Sequence, residues 1–208
     1  MTAVQMSCGS PPGDLCVPSL ESERLVLRAP QLADAGAITA LADNRRVAEM
    51  TASIPHPYKL EHAEAWIAGL PEQAHGLVFA LFEKKGGAFV GACGYGLRDE
   101  AIPEIGYWIG EPFWGRGYAT EAVRTMIDHA FTATALDALA ASCRVTNLAS
   151  RGVLEKCGFQ WTGVGLCRIR ALGASVPSDR FRLDRRTWVS LRAWGKTRLP
   201  VRRKAVRG

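Results

Sequence analysis

Nowhere in this 208-residue chain do apolar residues run long enough to cross a bilayer, which takes about 20 in a row. The first residues lack a charged start followed by an apolar segment, so secretion is not expected and the expected compartment is cytoplasmic. The six cysteines (Cys8, Cys16, Cys93, Cys143, Cys157, Cys167) contain no C-x-x-C pair, and the histidines show no paired spacing. No metal and no disulfide scaffold is therefore expected; the thiols read as reduced, and Cys157 as structural. The body carries no excess charge either. Lys196, Arg198, Arg202, Arg203, Lys204 and Arg207 form an acid-free tail, and without them the 26 basic residues fall to 20, equal to the acidic ones. The high isoelectric point thus belongs to the tail. A nucleic-acid face on the body is not expected; the tail is suited to rRNA or an acidic partner, or is simply a solvated end. No repeat is visible. No G-x-x-x-x-G-K-[ST] run exists, and Gly91, Gly94 and Gly96 are wrongly spaced for a dinucleotide fingerprint.

What is present is a glycine-alternating loop running into a helix, Phe113-Trp114-Gly115-Arg116-Gly117-Tyr118-Ala119-Thr120-Glu121. Gly115 and Gly117 carry no Cβ, so a ligand can lie against the backbone. Ala119, Val123, Met126, Ile127 and Ala130 follow at helical spacing. A helix beginning near Gly117 leaves its first N–H groups without intrahelical partners at the positive end of its dipole, an anion site suited to a phosphate or diphosphate. Arg116 adds a full charge beside it. A bare structural glycine turn is the competing interpretation.

The remaining pattern alternates strands and helices. Residues 1–19, with Pro11, Pro12, Gly13 and Pro18, form a flexible leader; 20–192 form one domain; 193–208 form the basic tail. Within the domain the sequence predicts a strand at 21–29, a helix at 32–43 and a short helix at 44–50. A proline-fixed bend at Ile54–Tyr58 follows, then a helix carrying Leu60, Ala63, Ile67 and Leu70. Strands at 77–83 and 88–97 flank the turn Lys84-Lys85-Gly86-Gly87, and another strand covers 103–110. After the central helix come a strand at 139–145, a helix at 148–157 stopped by Gly158, and strands at 159–169 and 180–188 with Pro177-Ser178-Asp179 between them.

The run Ile105-Gly106-Tyr107-Trp108-Ile109-Gly110, then Phe113-Trp114-Gly115-Arg116-Gly117-Tyr118-Ala119-Thr120-Glu121-Ala122, resembles the GNAT acetyltransferases of the RimJ/RimL-like branch. So do the opening Ser22-Glu23-Arg24-Leu25-Val26-Leu27-Arg28 and the later Asn147-x-x-Ser150 followed by Glu155-Lys156-Cys157-Gly158-Phe159. Trp114 stands where most of the superfamily has Gln or Arg. The resemblance covers roughly residues 21–190 and implies an α/β (α+β) fold. Its sheet is mixed and mostly antiparallel, of six to seven strands flanked by about four helices, and is splayed between the fourth and fifth strands to admit the cofactor.

The resemblance also implies acetyl-CoA as cosubstrate and direct transfer of the acetyl group to a primary amine in a ternary complex. Gly115, Arg116, Gly117, Tyr118, Ala119 and Thr120 would hold the diphosphate. Trp108, Ile109 and Gly110 would meet the pantetheine through a bulged strand, with a backbone N–H near Tyr107 or Trp108 polarising the thioester. The side chains of Trp108 and Trp114 serve equally as wall or core. Asn147 and Ser150 would reach the pantetheine and sulfur; Asn147 also suits a helix N-cap, and the two roles coexist. Ser150 is the candidate proton donor to the thiolate, with Tyr118 second, and Glu104 the candidate general base. His56 and Tyr58 are candidate acceptor contacts, or else a rigid turn with a packed tyrosine. Asp99, Glu100 and Glu104 would favour a cationic acceptor, either a protein N-terminus or a small amine. A monomer or homodimer is expected. The alternatives are a non-catalytic acetyl-CoA-binding module and a ribosome- or RNA-associated protein working through its tail.

Overall fold

The computed structural model describes residues 18–70, 76–97 and 102–196. The leader to residue 17, the pair Asp99 and Glu100, and the tail from residue 197 lie outside the described residues. One sheet organises the rest. Its strands are β1 (Leu20–Glu21), β2 (Leu25–Arg28), β3 (Gly76–Glu83), β4 (Phe89–Gly96), β5 (Glu104–Ile109), β6 (Ala138–Arg144), β7 (Gln160–Ile169) and β8 (Ala174–Asp184). They lie in the order β1-β2-β3-β4-β5-β6-β8-β7. Every neighbouring pair is antiparallel except β5 and β6. The helices are α1 (Ala35–Ala42), α2 (Arg45–Ala48), α3 (Leu60–Ala68), α4 (Tyr118–Ala133), α5 (Leu148–Lys156) and α6 (Arg185–Lys196). The mixed α/β architecture expected from the sequence is therefore the one observed, with a short β1 bringing the strands to eight.

The sheet separates two cores. On one face α4 buries Val123, Met126, Ile127, Ala130 and Phe131 against Phe79, Ile105, Leu139 and Phe181. That i, i+3, i+4, i+7 stripe is why this segment is a helix, and truncating Met126 to alanine costs about 2–5 kcal/mol. On the other face α1 to α3 form a smaller cluster around Ile38, Val47, Ala63 and Phe89. Strand β5 touches both: Ile105 and Ile109 point into the larger core, while Trp108 packs on the smaller.

The β5–β6 seam determines where a site can be. β4 and β5 are paired over six positions and β6 and β8 over seven, but β5 and β6 pair only at Glu104↔Ala140 and Ile105↔Ala141. Beyond those residues the parallel strands part. Gly106 is exposed although its strand lies in the middle of the sheet.

Two local expectations fail. The bulge expected in β5 is absent, because its register with β4 runs unbroken from Gly91↔Ile109 to Gly96↔Glu104. An irregularity lies instead in the neighbouring β3–β4 ladder, where Leu81 pairs with Gly91 and Phe82 with Phe89, leaving Val90 of β4 as the extra residue. The strand expected at 180–188 is also wrong at both ends. β8 begins at Ala174, after a tight turn whose Gly173 has φ 61°, and Pro177 lies inside the strand, one position beyond the end of the β6 ladder, where its missing N–H is tolerated. Past Asp184 the chain turns into α6. There the Arg185 guanidinium donates to the carbonyls of Phe131 (2.6 Å), Thr134 (2.8 Å) and Leu136 (2.8 Å) at the end of α4. The Phe131 and Thr134 carbonyls have no helical partners and lie at the negative end of the dipole, so a cation is favoured there. Trp188 then packs on Phe131 with ring centroids 5.2 Å apart and donates to Asp128 at 2.7 Å.

Candidate active site

The glycine loop sits where β5 leaves the sheet. Gly115 has φ 73° and Gly117 φ 81°, left-handed conformations that glycine adopts without strain. The first bond of α4 runs from the Glu121 N–H to the Gly117 carbonyl at 3.1 Å. The N–H groups of Tyr118, Ala119 and Thr120 therefore precede any i−4 partner and cluster at the positive end of a sixteen-residue helix. Arg116 stands over the Phe113 ring at 5.5 Å. The Trp114 indole N–H donates to the Ile109 carbonyl at 2.6 Å, folding the loop back on β5. Glu111 ties its other shoulder to α2, accepting from Asn44 Nδ2 at 2.6 Å and from the Arg46 guanidinium.

The sequence does not signal a third tie. Glu121 accepts from Ser22 Oγ (2.7 Å), the Arg24 backbone N–H (2.6 Å) and Arg24 Nε (2.7 Å), and Arg24 Nη1 donates to the Arg116 carbonyl at 2.8 Å. Burial works to raise the Glu121 pKa, but these hydrogen bonds outweigh it and the group ends below the usual carboxylate range. An acid in a helix's first turn is ordinary, so nothing in the local sequence ties Glu121 to the β1–β2 bend 97 residues upstream.

The open seam supplies a second set of donors. The Gly110 N–H bonds the Val90 carbonyl at 2.9 Å, which fixes the parity of the β4–β5 ladder. Trp108 belongs to that ladder, whereas the N–H groups of Tyr107 and Ile109 turn away from β4, toward the gap. Of the two backbone donors expected for the thioester, the geometry favours Tyr107. Gly110 has a packing reason of its own: a Cβ there would come within 2.7 Å of the Leu41 side chain.

Across the gap, Asn147 caps α5, its side-chain oxygen accepting from the Ser150 N–H at 3.1 Å. The Tyr107 hydroxyl lies 2.8 Å from Ser150 Oγ and 3.2 Å from the Ser150 carbonyl. Burial drives the Tyr107 pKa far up, with the Ser150 bond opposing, so this phenol stays protonated. Burial also raises the Cys143 thiol beside it, again against Ser150. Tyr107 was not among the expected side chains; its place two residues after Ile105 on the inward face was the available signal. Tyr118, the second candidate donor, is committed elsewhere, its hydroxyl bonding Glu83 while Arg24 stacks on its ring at 4.7 Å.

Glu104 points to the opposite face of β5 from Tyr107, because side chains alternate along a strand. Its carboxylate accepts from the Ser142 hydroxyl across the seam. Its two companions on that face are Gly106, whose missing Cβ would meet nothing within 4 Å, and Trp108. The structure brings His56 and Tyr58 together at Asp43 rather than at β5. His56 Nδ1 is 3.3 Å from Asp43 Oδ1, which also accepts the Tyr58 N–H at 2.9 Å. The Tyr58 ring is buried in the smaller core, as the packed-turn interpretation has it. Arg151 is held by Glu155 (3.0 Å) and Asp179 (3.3 Å).

The residues present fit a diphosphate with a long thioester arm. Two glycines with positive φ line an N–H cluster, and the seam beyond it pairs at only two positions and leaves Gly106 of β5 exposed. A groove of about 720 Å³ also starts at Gly117 and Thr120 and runs along the outside of α4 past Arg124 and Lys156, reaching neither Glu104 nor Ser150.

Residues 24–160 match the model of the acetyltransferase (GNAT) domain. The chain is 28% identical over 174 residues to the uncharacterized N-acetyltransferase p20 of Bacillus licheniformis, covering 82% of this chain and 98% of p20. It is 30% identical over 152 residues to the uncharacterized N-acetyltransferase YoaA of Bacillus subtilis, 71% of this chain and 85% of YoaA. Among solved structures, RimJ of Mycobacterium smegmatis in complex with CoA-disulfide superposes with a TM-score of 0.69 at 26% identity, covering 83% of this chain and 90% of that one.

Proposed function

This chain belongs to the GNAT acetyltransferases, and from that premise we propose that it moves an acetyl group from acetyl-CoA directly to a primary amine. The observation that carries the reading is the seam: two parallel strands that part after two paired positions, next to a helix whose first amides surround a glycine loop. Residues Gly115–Thr120 hold the diphosphate, with Arg116 adding charge. The pantetheine lies in the seam along Trp108, Ile109 and Gly110, and the Tyr107 N–H takes the thioester oxygen. One such donor is worth about 2.7–4 kcal/mol of barrier.

The amine enters from the face that carries Glu104, and the thiolate leaves on the face that carries Ser150. The two faces meet at Gly106, where no side chain blocks the passage between them. Glu104 takes the proton of the incoming ammonium, while Ser142 fixes one of its oxygens. Ser150 donates to the departing sulfur, and Asn147 holds the turn that presents it. A thiol with a pKa of about 8.5 leaves readily, so this donation is the smaller contribution.

The acceptor class follows from acid–base arithmetic. An α-amine of pKa about 8 costs about 1.4 kcal/mol to neutralise at pH 7, and a lysine-like amine of about 10.4 costs about 4.6. A site with one carboxylate base thus serves α-amines of proteins or small molecules with least assistance. A screen of amines and peptides with detection of free thiol tests the proposal. Thiol release should depend on a primary amine, and a chain that binds coenzyme A yet releases none with any amine would end the reading.

A further inference from the structure

The tie between Arg24 and the glycine loop has a direction. The 116–117 peptide is trans, since the one cis bond among the described residues is His56–Pro57. In a trans peptide the C=O of one residue and the N–H of the next point to opposite sides. By bonding the Arg116 carbonyl at 2.8 Å, Arg24 Nη1 holds the oxygen back and so turns the Gly117 N–H outward, away from the guanidinium. The second nitrogen, Nη2, is 3.3 Å from where a Gly117 Cβ would stand, so the guanidinium lies close against Gly117.

Charge points the same way. Glu121 sits in the first turn of α4, where a phosphate would meet a like charge. Arg24 Nε pairs with its carboxylate at 2.7 Å, and Ser22 and the Arg24 N–H occupy the other oxygen. One side chain thus both orients a main-chain donor and cancels the acid beside it. A lysine cannot do both, because its single nitrogen has no fork.

We propose that Arg24 is a positioning residue of the cofactor's diphosphate site, aiming the Gly117 amide at the anion and neutralising Glu121. This rests on the reading that Gly115–Thr120 take the diphosphate of coenzyme A.

Coenzyme A binding to the wild type, Arg24→Gln and Arg24→Lys is measured by calorimetry, together with the Gly117 amide resonance at saturation and the melting temperature. In the wild type the Gly117 amide is expected to move downfield on binding. Arg24→Gln is expected to weaken coenzyme A by about tenfold or more and to lose most of that movement. Arg24→Lys, which keeps the charge but not the fork, is expected to fall between the two. Affinity for either variant within about twofold of wild type overturns the assignment, as does a weakened Arg24→Gln whose Gly117 amide still moves in full. Should Arg24→Gln fail to fold, Arg24→Lys alone decides on the same criteria. A wild type with no affinity for coenzyme A instead overturns the reading of the loop, and this assignment with it.

Discussion

The two faces of strand β5 are built by different means. On the α4–α5 face the expected chemistry is mostly main-chain: the N–H groups at the start of α4, those of Tyr107 and Ile109, and one hydroxyl, that of Ser150, bonded by Tyr107 on a turn that Asn147 caps. On the α1–α3 face it rests on side chains from distant segments, Glu104 with Ser142, and His56 and Tyr58 on Asp43. Main-chain donors are fixed by the path of the backbone and resist substitution unless the path changes. Side-chain sites change one residue at a time. The difference suggests that cofactor use is the rigid property of this fold and acceptor choice the adjustable one.

Four experiments test that contrast, in descending order of expected effect. Gly117→Glu attacks the main-chain face where it is least tolerant, at φ 81° and with a negative charge in an anion site. Affinity for coenzyme A should fall by more than about a hundredfold by calorimetry, and near-normal binding would remove the loop from the site.

On the same face, Ser150→Ala should lower kcat by about tenfold to a hundredfold, with little change in affinity for coenzyme A. Tyr107→Phe removes only the hydroxyl that orients Ser150, so its loss should be smaller, and should vanish when Ser150 is already alanine. Additive losses in the double mutant would separate the two residues.

Glu104→Gln probes the side-chain face. Turnover of a lysine-like amine should drop more than that of an α-amine, by about tenfold, because the base must supply more of the barrier as the amine pKa rises. Equal losses on both would take Glu104 out of the role of base.

The smallest effect concerns stability. Glu121 has its pKa lowered in the folded state, so its contribution is present above its unfolded value of about 4.3 and is lost as pH falls through the folded value. Melting temperature should decline from about pH 5 downward, and Glu121→Gln should flatten that decline. An unchanged slope would show that the clamp adds nothing to stability.

Some of this was legible residue by residue. The α4 stripe, the Lys84–Gly87 turn, the Gly158 helix stop and the glycine loop are short-range patterns whose physics lies within a few residues, and each stands where the sequence puts it. Asn147 was legible as a cap for the same reason. Arg185–Trp188 was not, because alternation continued from Phe181 and Leu183 makes a strand look natural there, whereas the segment turns helical to place Arg185 on the far end of α4. The expected bulge erred differently: Gly106 and Gly110 do mark an opening and a close approach, but the opening comes from a neighbouring strand that diverges.

The sequence alone determined a helix N-terminus behind two glycines, and with it a candidate place for an anion, since backbone sterics and unpaired amides are local facts. Only the tertiary structure decided that β6 leaves β5 after two pairs, that Tyr107 holds Ser150, and that Arg24 reaches across 97 residues to Glu121. Those depend on which segments the two cores press together, and hydrophobic burial, being non-directional, does not inscribe its partners in the neighbouring residues.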